Sequence, residues 1–296
     1  MTKTYSGTIA LVGKPNAGKS TLLNRLLDNK LSIVTHKAQT TRHNLLGVKT
    51  MANYQLLFVD TPGMHSKQKR DLNRWMNRAA SDAIKSADLI IFLVTISEWS
   101  TDDQWVLDVI KKSSSPVLLC INKLDIIGGQ EKLQAGIDNI TAKHNFSNVT
   151  TISAKNNIGL DSIYSWCQQN LPESEHMEFA NDDLSDRPQQ FFISEIIREQ
   201  ILIRFHQELP YSSYVDAEIV EENPDIKHIH ATIYVENEGQ KKIIIGKGGQ
   251  AIKEIGKRAR IQLEHKYNKK VFIKLWVRVK DSWTNKVPEN YSQDLF

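Results

Sequence analysis

The feature that most constrains this 296-residue chain is a run of eight residues, Gly13-Lys14-Pro15-Asn16-Ala17-Gly18-Lys19-Ser20. It satisfies the pattern G-x-x-x-x-G-K-[ST], between a strand-like run at Thr8–Val12 and a helical pattern that begins at Lys19. A strand, a glycine-containing turn and a helix in that order form a cradle for phosphate. The glycines let successive backbone N–H groups face phosphate oxygens, and the helix N-terminus adds positive potential. Lys19 brings a full charge to the β- and γ-phosphates, and the Ser20 hydroxyl is a ligand for Mg²⁺; Thr21 continues the first helical turn.

Two further motifs follow in the order such a cradle requires. Asp60-Thr61-Pro62-Gly63 closes a second apolar strand, which brings Asp60 to the edge of the sheet beside the phosphates. A carboxylate there can hold Mg²⁺, and the Gly63 N–H can reach a γ-phosphate. Asn122-Lys123-Leu124-Asp125 closes another strand on the same edge. The Asp125 carboxylate can accept from guanine N1–H and the 2-amino group, whereas adenine offers a bare acceptor at N1 and no 2-amino group, so the pair selects guanine. Ser153-Ala154-Lys155 ends the last strand with backbone N–H groups placed for guanine O6. After Gly63 comes Met64, whose thioether can neither orient water nor stabilise charge, so hydrolysis must rest on Lys19, Mg²⁺ and backbone donors. His65 reads as a solvated loop histidine rather than a general base.

The rhythm of the first 170 residues fits these sites. Strand patterns at Thr8–Val12, Leu45–Thr50, Gln55–Asp60, Leu89–Thr95, Val117–Asn122 and Val149–Ser153 alternate with helical patterns at Lys19–Leu27, Leu72–Lys85, Asp102–Lys111, Lys132–Lys143 and Leu160–Gln169. Such alternation implies a mostly parallel sheet with helices on both faces. Residues 173–186 hold six Asp or Glu and no Lys or Arg, and read as a linker. A helix Gln190–Gln207, strands Tyr214–Glu221 and His228–Val235, a helix Ala251–Tyr267 and a strand Val271–Val279 then form a second domain. The expected domains are 1–172, an acidic linker 173–188, a second domain 189–281 and a tail 282–296.

Residues 241–280 carry thirteen Lys or Arg against two Glu, which draws polyanions when a nucleic-acid motif lies in the same stretch. Gly246-Lys247-Gly248-Gly249 is such a motif, a GxxG loop before a basic helix. A loop without side chains at its ends can press its backbone against phosphates, as KH domains do with about four nucleotides. Lys253, Lys257 and Arg258 add charge on the following helix. Propensity makes Lys242–Ile245 a strand, whereas a KH unit of order βααβ makes it a short helix before the loop. His228 and His230 could share a metal but read as exposed strand residues, and the six tryptophans show no stacking-platform spacing.

The ordered motifs resemble those of the translation-factor-related GTPases. With Lys37 to His43 (KAQTTRH) and the GxxG domain, the chain resembles, over nearly its whole length, the bacterial Era GTPases with a C-terminal type II KH domain. The resemblance implies a P-loop NTPase G domain followed by an α+β type II KH domain, and makes Lys242–Ile245 helical. It implies that Thr41 meets Mg²⁺ and the γ-phosphate, although the residues alone leave Thr40 nearly as good a candidate, and that Asn16 helps hold an activating K⁺. It further implies slow hydrolysis of GTP to GDP, binding of 16S rRNA near its 3′ end, a part in 30S subunit assembly, a monomer, and loose association with the inner membrane. An alternative is an RNA-binding scaffold for which GTP is a structural or regulatory ligand. Composition fits a cytoplasmic protein that binds no DNA. Two cysteines cannot form a disulfide framework, no apolar run approaches the roughly 20 residues that span a bilayer, and the first residues lack the apolar core of a secretory leader.

Overall fold

The computed structural model describes residues 3–37, 40–66, 71–96, 99–205, 209 and 212–280, so the tail 282–296 lies outside the described residues; the helix expected over Gln190–Gln207 instead ends at Arg204, because the backbone turns extended at Phe205. The chain divides into two compact units, with the boundary after Asp186.

The first unit runs β1 (Thr4–Val12), α1 (Lys19–Leu26), β2 (Leu45–Met51), β3 (Tyr54–Asp60), α2 (Asp71–Ser86), β4 (Leu89–Thr95), α3 (Thr101–Ile110), β5 (Val117–Asn122), α4 (Gln130–Thr141), β6 (Asn148–Thr151), α5 (Leu160–Asn170) and β7 (Glu173–Ser174). The sheet order is β2-β3-β1-β4-β5-β6, parallel except for β2 against β3, and β7 pairs antiparallel with β1. Strands β4 and β5 are almost wholly buried, which is why they read as unbroken apolar runs: helices cover both faces. The chain leaves β1 toward β3 on one side and returns across it to β4 on the other. Strand order therefore reverses around β1, and the crevice at such a reversal, beyond the carboxyl ends of the strands, is where open α/β sheets take ligands.

Strand β1 starts four residues earlier than its apolar pattern predicts, because Thr4 and Tyr5 pair with β7 and Tyr5 stacks on Tyr54 with ring centroids 5.0 Å apart. The acidic segment is not a free linker. Gln55 is fully buried, and its side-chain oxygen accepts from the N–H groups of Glu178 (2.8 Å) and Phe179 (3.0 Å) while its amide donates to the Phe179 carbonyl (2.9 Å). Farther along, the Val48 N–H donates to the Leu184 carbonyl, and the Ser185 hydroxyl donates to the Leu46 carbonyl. Hydrogen bonds to an edge strand and one buried amide hold a segment that apolar content alone would not.

The second unit runs α6 (Gln189–Arg204), β8 (Tyr214–Glu222), β9 (Ile226–Val235), α7 (Glu238–Ile245), a single turn over the GxxG loop, α8 (Gln250–Tyr267) and β10 (Lys270–Val279). Its sheet order is β10-β9-β8, with β9 and β10 parallel and β8 antiparallel. Ile193, Ile197 and Ile201 of α6 and Ile255, Ala259 and Leu263 of α8 pack with Ile229 and Ile233 of β9. The helical alternative for Lys242–Ile245 is the one observed. Asn237 caps α7 by accepting from the Gln240 N–H at 2.9 Å, and Ile244 is buried while its neighbour Ile243 is exposed.

Because the buried Gln55 side chain makes three hydrogen bonds to Glu178 and Phe179, Gln55→Ala is expected to lower stability by about 2 kcal/mol and to expose residues 175–183 to protease. Urea titration and mapping of the first cleavage site check both.

Candidate nucleotide and nucleic-acid sites

Beyond β1 the loop residues Gly13 to Ser20 wrap into the crevice. Gly18 adopts φ +105°, and a Cβ there would fall 2.2 Å from the Asn122 amide nitrogen, so only glycine fits. Asn16 takes a left-handed φ of +61°, and its amide donates to the His36 carbonyl at 3.1 Å. Lys19 is buried, with Nζ donating to the carbonyls of Gly13 (3.0 Å) and Lys14 (3.1 Å). Burial pulls its pKa down to about 8, against the opposing pull of Asp60. The Lys14 ammonium pairs with Asp103 at 2.7 Å, where Ser100 and Asp103 cap α3, so Lys14 offers a phosphate its backbone and not its charge.

The metal-ligating candidates meet around Asp60, whose Oδ2 accepts from Ser20 Oγ (2.6 Å), Ser32 Oγ (3.0 Å) and Thr41 Oγ1 (3.4 Å). Ser20 and Thr41 hydroxyls lie 2.8 Å apart. Thr40 turns elsewhere, to Thr35 Oγ1 and the Lys37 carbonyl, both at 2.7 Å, so the geometry separates two threonines that the sequence left nearly equal. Asp60 Oδ1 is buried without a partner among the described residues, and burial raises the carboxyl pKa although the hydroxyls and Lys19 oppose it. Convergent hard oxygens around a buried carboxylate short of cationic partners fit Mg²⁺. Ser32 carried no signal in the sequence; only the return of the chain after α1 brings it here.

Thr61 donates its hydroxyl to the Leu11 carbonyl, and Gly63 passes so close to Pro15 that a Cβ would sit 2.8 Å from the Pro15 Cα. Gly18, Lys19, Ser20, Thr21, Thr41 and Gly63 line one cavity, together with Pro15 and Asn16. Met64 is fully buried among Ala10, Val12 and Phe92, so it packs the core. His65 is not the solvated histidine expected. It is half-buried, Asn77 bonds both its backbone N–H and its carbonyl, Nε2 has no partner among the described residues, and burial lowers its pKa.

At the other end of the crevice Asn122 ties three loops. Its amide donates to the Ala17 carbonyl (2.9 Å), and its oxygen accepts from the N–H groups of Lys123 (2.8 Å) and Ala154 (3.0 Å). The Ala154 N–H, expected to face guanine O6, is thus taken, leaving that of Lys155; the Lys155 carbonyl accepts from Arg25. Asp125 is exposed, and a 2.6 Å bond from the Ser153 hydroxyl is the main cause holding its pKa below the usual range.

In the second unit Gly246 ends α7 at φ +73°, where a Cβ would meet that of Ala251 at 2.7 Å; Gly248 and Gly249 are left-handed and face open space. Lys253 and Lys257 line a groove between α8 and β10, with Ile252, Gly256, Phe272 and Leu275 along it. Gly256 brings the helix close, a Cβ there lying 3.3 Å from Leu275. Arg258 is exposed but absent from this lining, whereas Arg260 is present. Residues 253, 257 and 260 follow helical spacing and share a stripe, while 258 lies about 100° round the helix from 257. That periodicity was available in the sequence. Among the described residues no three His, Cys, Asp or Glu gather as a metal site.

A family model described as a 50S ribosome-binding GTPase matches residues 8–123, and a KH domain model matches residues 208–284. GTPase Era of Haemophilus influenzae is 46% identical over 96% of this chain and 94% of its own length; that of Vibrio vulnificus is 43% identical over 95% and 88%. This chain belongs to the Era family of GTPases. Two solved Era structures superpose on it. One is of Era in complex with MgGDPNP and nucleotides 1506–1542 of 16S ribosomal RNA, with TM-score 0.91 and 39% identity over 99% of this chain and 98% of that one. The other is of an Aquifex aeolicus Era variant bound to GDP and AlF4⁻, with TM-score 0.92 and 39% identity over 99% of both chains. The Era-family assignment makes GTP hydrolysis the activity and sets aside the scaffold reading with GTP as a merely structural ligand.

In this Era-family site the low pKa of Lys19 has a consequence for binding. A triphosphate favours the protonated amine, so nucleotide affinity is full below pH 8 and falls as pH rises past it, by about threefold between pH 7.5 and 8.5. Titration calorimetry with a non-hydrolysable GTP analogue in two buffers should show proton uptake at the higher pH; a flat profile contradicts the assignment.

Proposed function

We propose that this Era-family chain is a GTP-operated RNA-binding protein that engages 16S rRNA near its 3′ end and serves in assembly of the 30S subunit in the cytoplasm. The observation that carries this is the presence, in one chain, of a phosphate crevice with Ser20, Thr41 and Asp60 drawn together and a basic groove along α8, the helix that follows the GxxG loop. Full-length similarity to an Era that was solved with a GTP analogue and 16S RNA supports the choice of RNA. No helix among the described residues is long and apolar enough to cross a membrane, so contact with the inner membrane would be peripheral.

In this reading the N–H groups of Gly13 to Ser20 and the Lys19 ammonium bind the β- and γ-phosphates, and Asp125 with Ser153 reads the guanine edge. Ser20 and Thr41 would hold Mg²⁺ with Asp60 beside them; the ion neutralises charge on the β- and γ-oxygens. The Gly63 N–H holds a γ-oxygen. Met64 lies in the core, so no side chain at that position orients the attacking water, and the backbone and Lys19 carry the developing charge. Asn16, whose amide nitrogen donates to the His36 carbonyl, would offer its side-chain oxygen to an activating K⁺; hydrolysis faster in K⁺ than in Na⁺ is the expected result.

Asp125→Asn should weaken GTP by about 2–3 kcal/mol and strengthen xanthosine triphosphate, whose 2-oxo group accepts where guanine donates. Fluorescent-nucleotide titration checks both, and unchanged preference contradicts the role given to Asp125. Replacing Lys247 and Gly248 with aspartates should cut RNA affinity by more than about tenfold and leave GTP affinity unaltered, as read by filter binding at fixed salt.

A further inference from the structure

The sheet of the second unit has a face that the groove does not use. In β9 the residues alternate strictly, with Lys227, Ile229, Ala231, Ile233 and Val235 buried toward the helices and His228, His230, Thr232 and Tyr234 on the opposite face. Register places Phe272 beside His228, Lys274 beside His230, Trp276 beside Thr232 and Arg278 beside Tyr234 on that same face. The rings are organised. Phe272 lies 5.4 Å from His228, Trp276 meets His230 edge-on at 4.9 Å, and the Lys274 ammonium sits 5.0 Å from the Trp276 ring centre.

Charge on this face is graded. Strand β10 contributes Lys274 and Arg278, Lys280 follows it, and the strand carries no acidic residue, while β8, two strands away, presents Asp216 and Glu218, with Glu218 3.9 Å from His230. A polyanion is drawn to the β10 side and repelled from the β8 side. Strand β10 is also the sheet edge, and Phe272, 51% exposed, belongs both to the GxxG groove and to this face. It is therefore a corner. Trp276 stands four residues farther along the same face, about 13 Å at strand rise.

We propose that this face is a second RNA-binding surface, on which single-stranded RNA leaving the GxxG groove turns over the β10 edge at Phe272 and stacks on Trp276, with Lys274 and Arg278 on its phosphates. The proposal rests on the RNA-binding reading of the groove. A KH groove holds about four nucleotides, so longer RNA must leave it somewhere. Aromatic rings interleaved with cations suit unpaired bases of any sequence, because every base has a π-face. The face therefore adds length and affinity, while sequence choice stays with the groove.

The test uses the full chain and two unstructured RNA oligonucleotides, of four and of twelve nucleotides, with affinity read by fluorescence anisotropy at several salt concentrations. For the parent, the longer RNA should bind more tightly and with a salt slope steeper by about 1.4, from two further phosphate contacts. Trp276→Ala should weaken the twelve-nucleotide RNA by about tenfold and leave the four-nucleotide RNA unchanged. The double variant Lys274→Glu with Arg278→Glu alters only exposed positions, so it serves if loss of the indole disturbs the sheet; the same selective loss is expected. Parental affinity of both variants for the longer RNA would overturn the second surface, as would an equal loss on both RNAs, which would place the effect in the groove. Failure of the parent to bind either RNA would instead remove the RNA-binding reading itself.

Discussion

The Asp60 carboxylate, buried at the end of β3, is held by hydroxyls from separate stretches of chain: Ser20 opens helix α1, while Ser32 and Thr41 come from the segment that follows it. A buried carboxylate is costly unless it is bonded or neutralised, and Lys19 nearby supplies part of the balance. The same group therefore draws the segment around Thr41 over the phosphate crevice and gathers the oxygens that suit Mg²⁺.

The chain carries on from this point to the end of the first unit. The chain continues from Thr41 into β2, and β2 carries the hydrogen bonds to Leu184 and Ser185 just before the unit ends at Asp186. The segment that leaves the nucleotide-binding unit is thus moored to the strand that emerges from the Thr41 stretch. At the opposite end, Asn122 fastens the P-loop, the Lys123 turn and the Ala154 turn to one another. Its amide makes three hydrogen bonds within the protein, which makes it a brace for the base site and leaves recognition to Asp125.

Much of the candidate site was legible because phosphate and guanine binding demand particular residue types at short spacings. The Gly13–Ser20 turn, Asp60 at a strand end, and Asp125 in its tetrapeptide are local features, and local features survive in a linear text. What the linear text did not carry was where a side chain points. Lys14 lies in the phosphate-binding run, but Asp103 captures its charge; His65 lies on a loop, but Asn77 locks its backbone; Arg258 lies on the basic helix, but is absent from the groove lining.

By itself the sequence determined the order of the two domains, the parallel sheet, the nucleotide class and the basic GxxG loop, since each follows from periodicity or from a motif spanning a few residues. Only the tertiary structure decided that Thr41 rather than Thr40 meets Ser20 and Asp60, that Ser32 joins them, that an acidic stretch is bound to a buried Gln55, and that Phe272 and Trp276 share a face with His228 and His230. The physical reason is common to all four. Each depends on groups distant in the chain, or on which of two adjacent side chains turns inward, and the packing of the whole unit sets that choice.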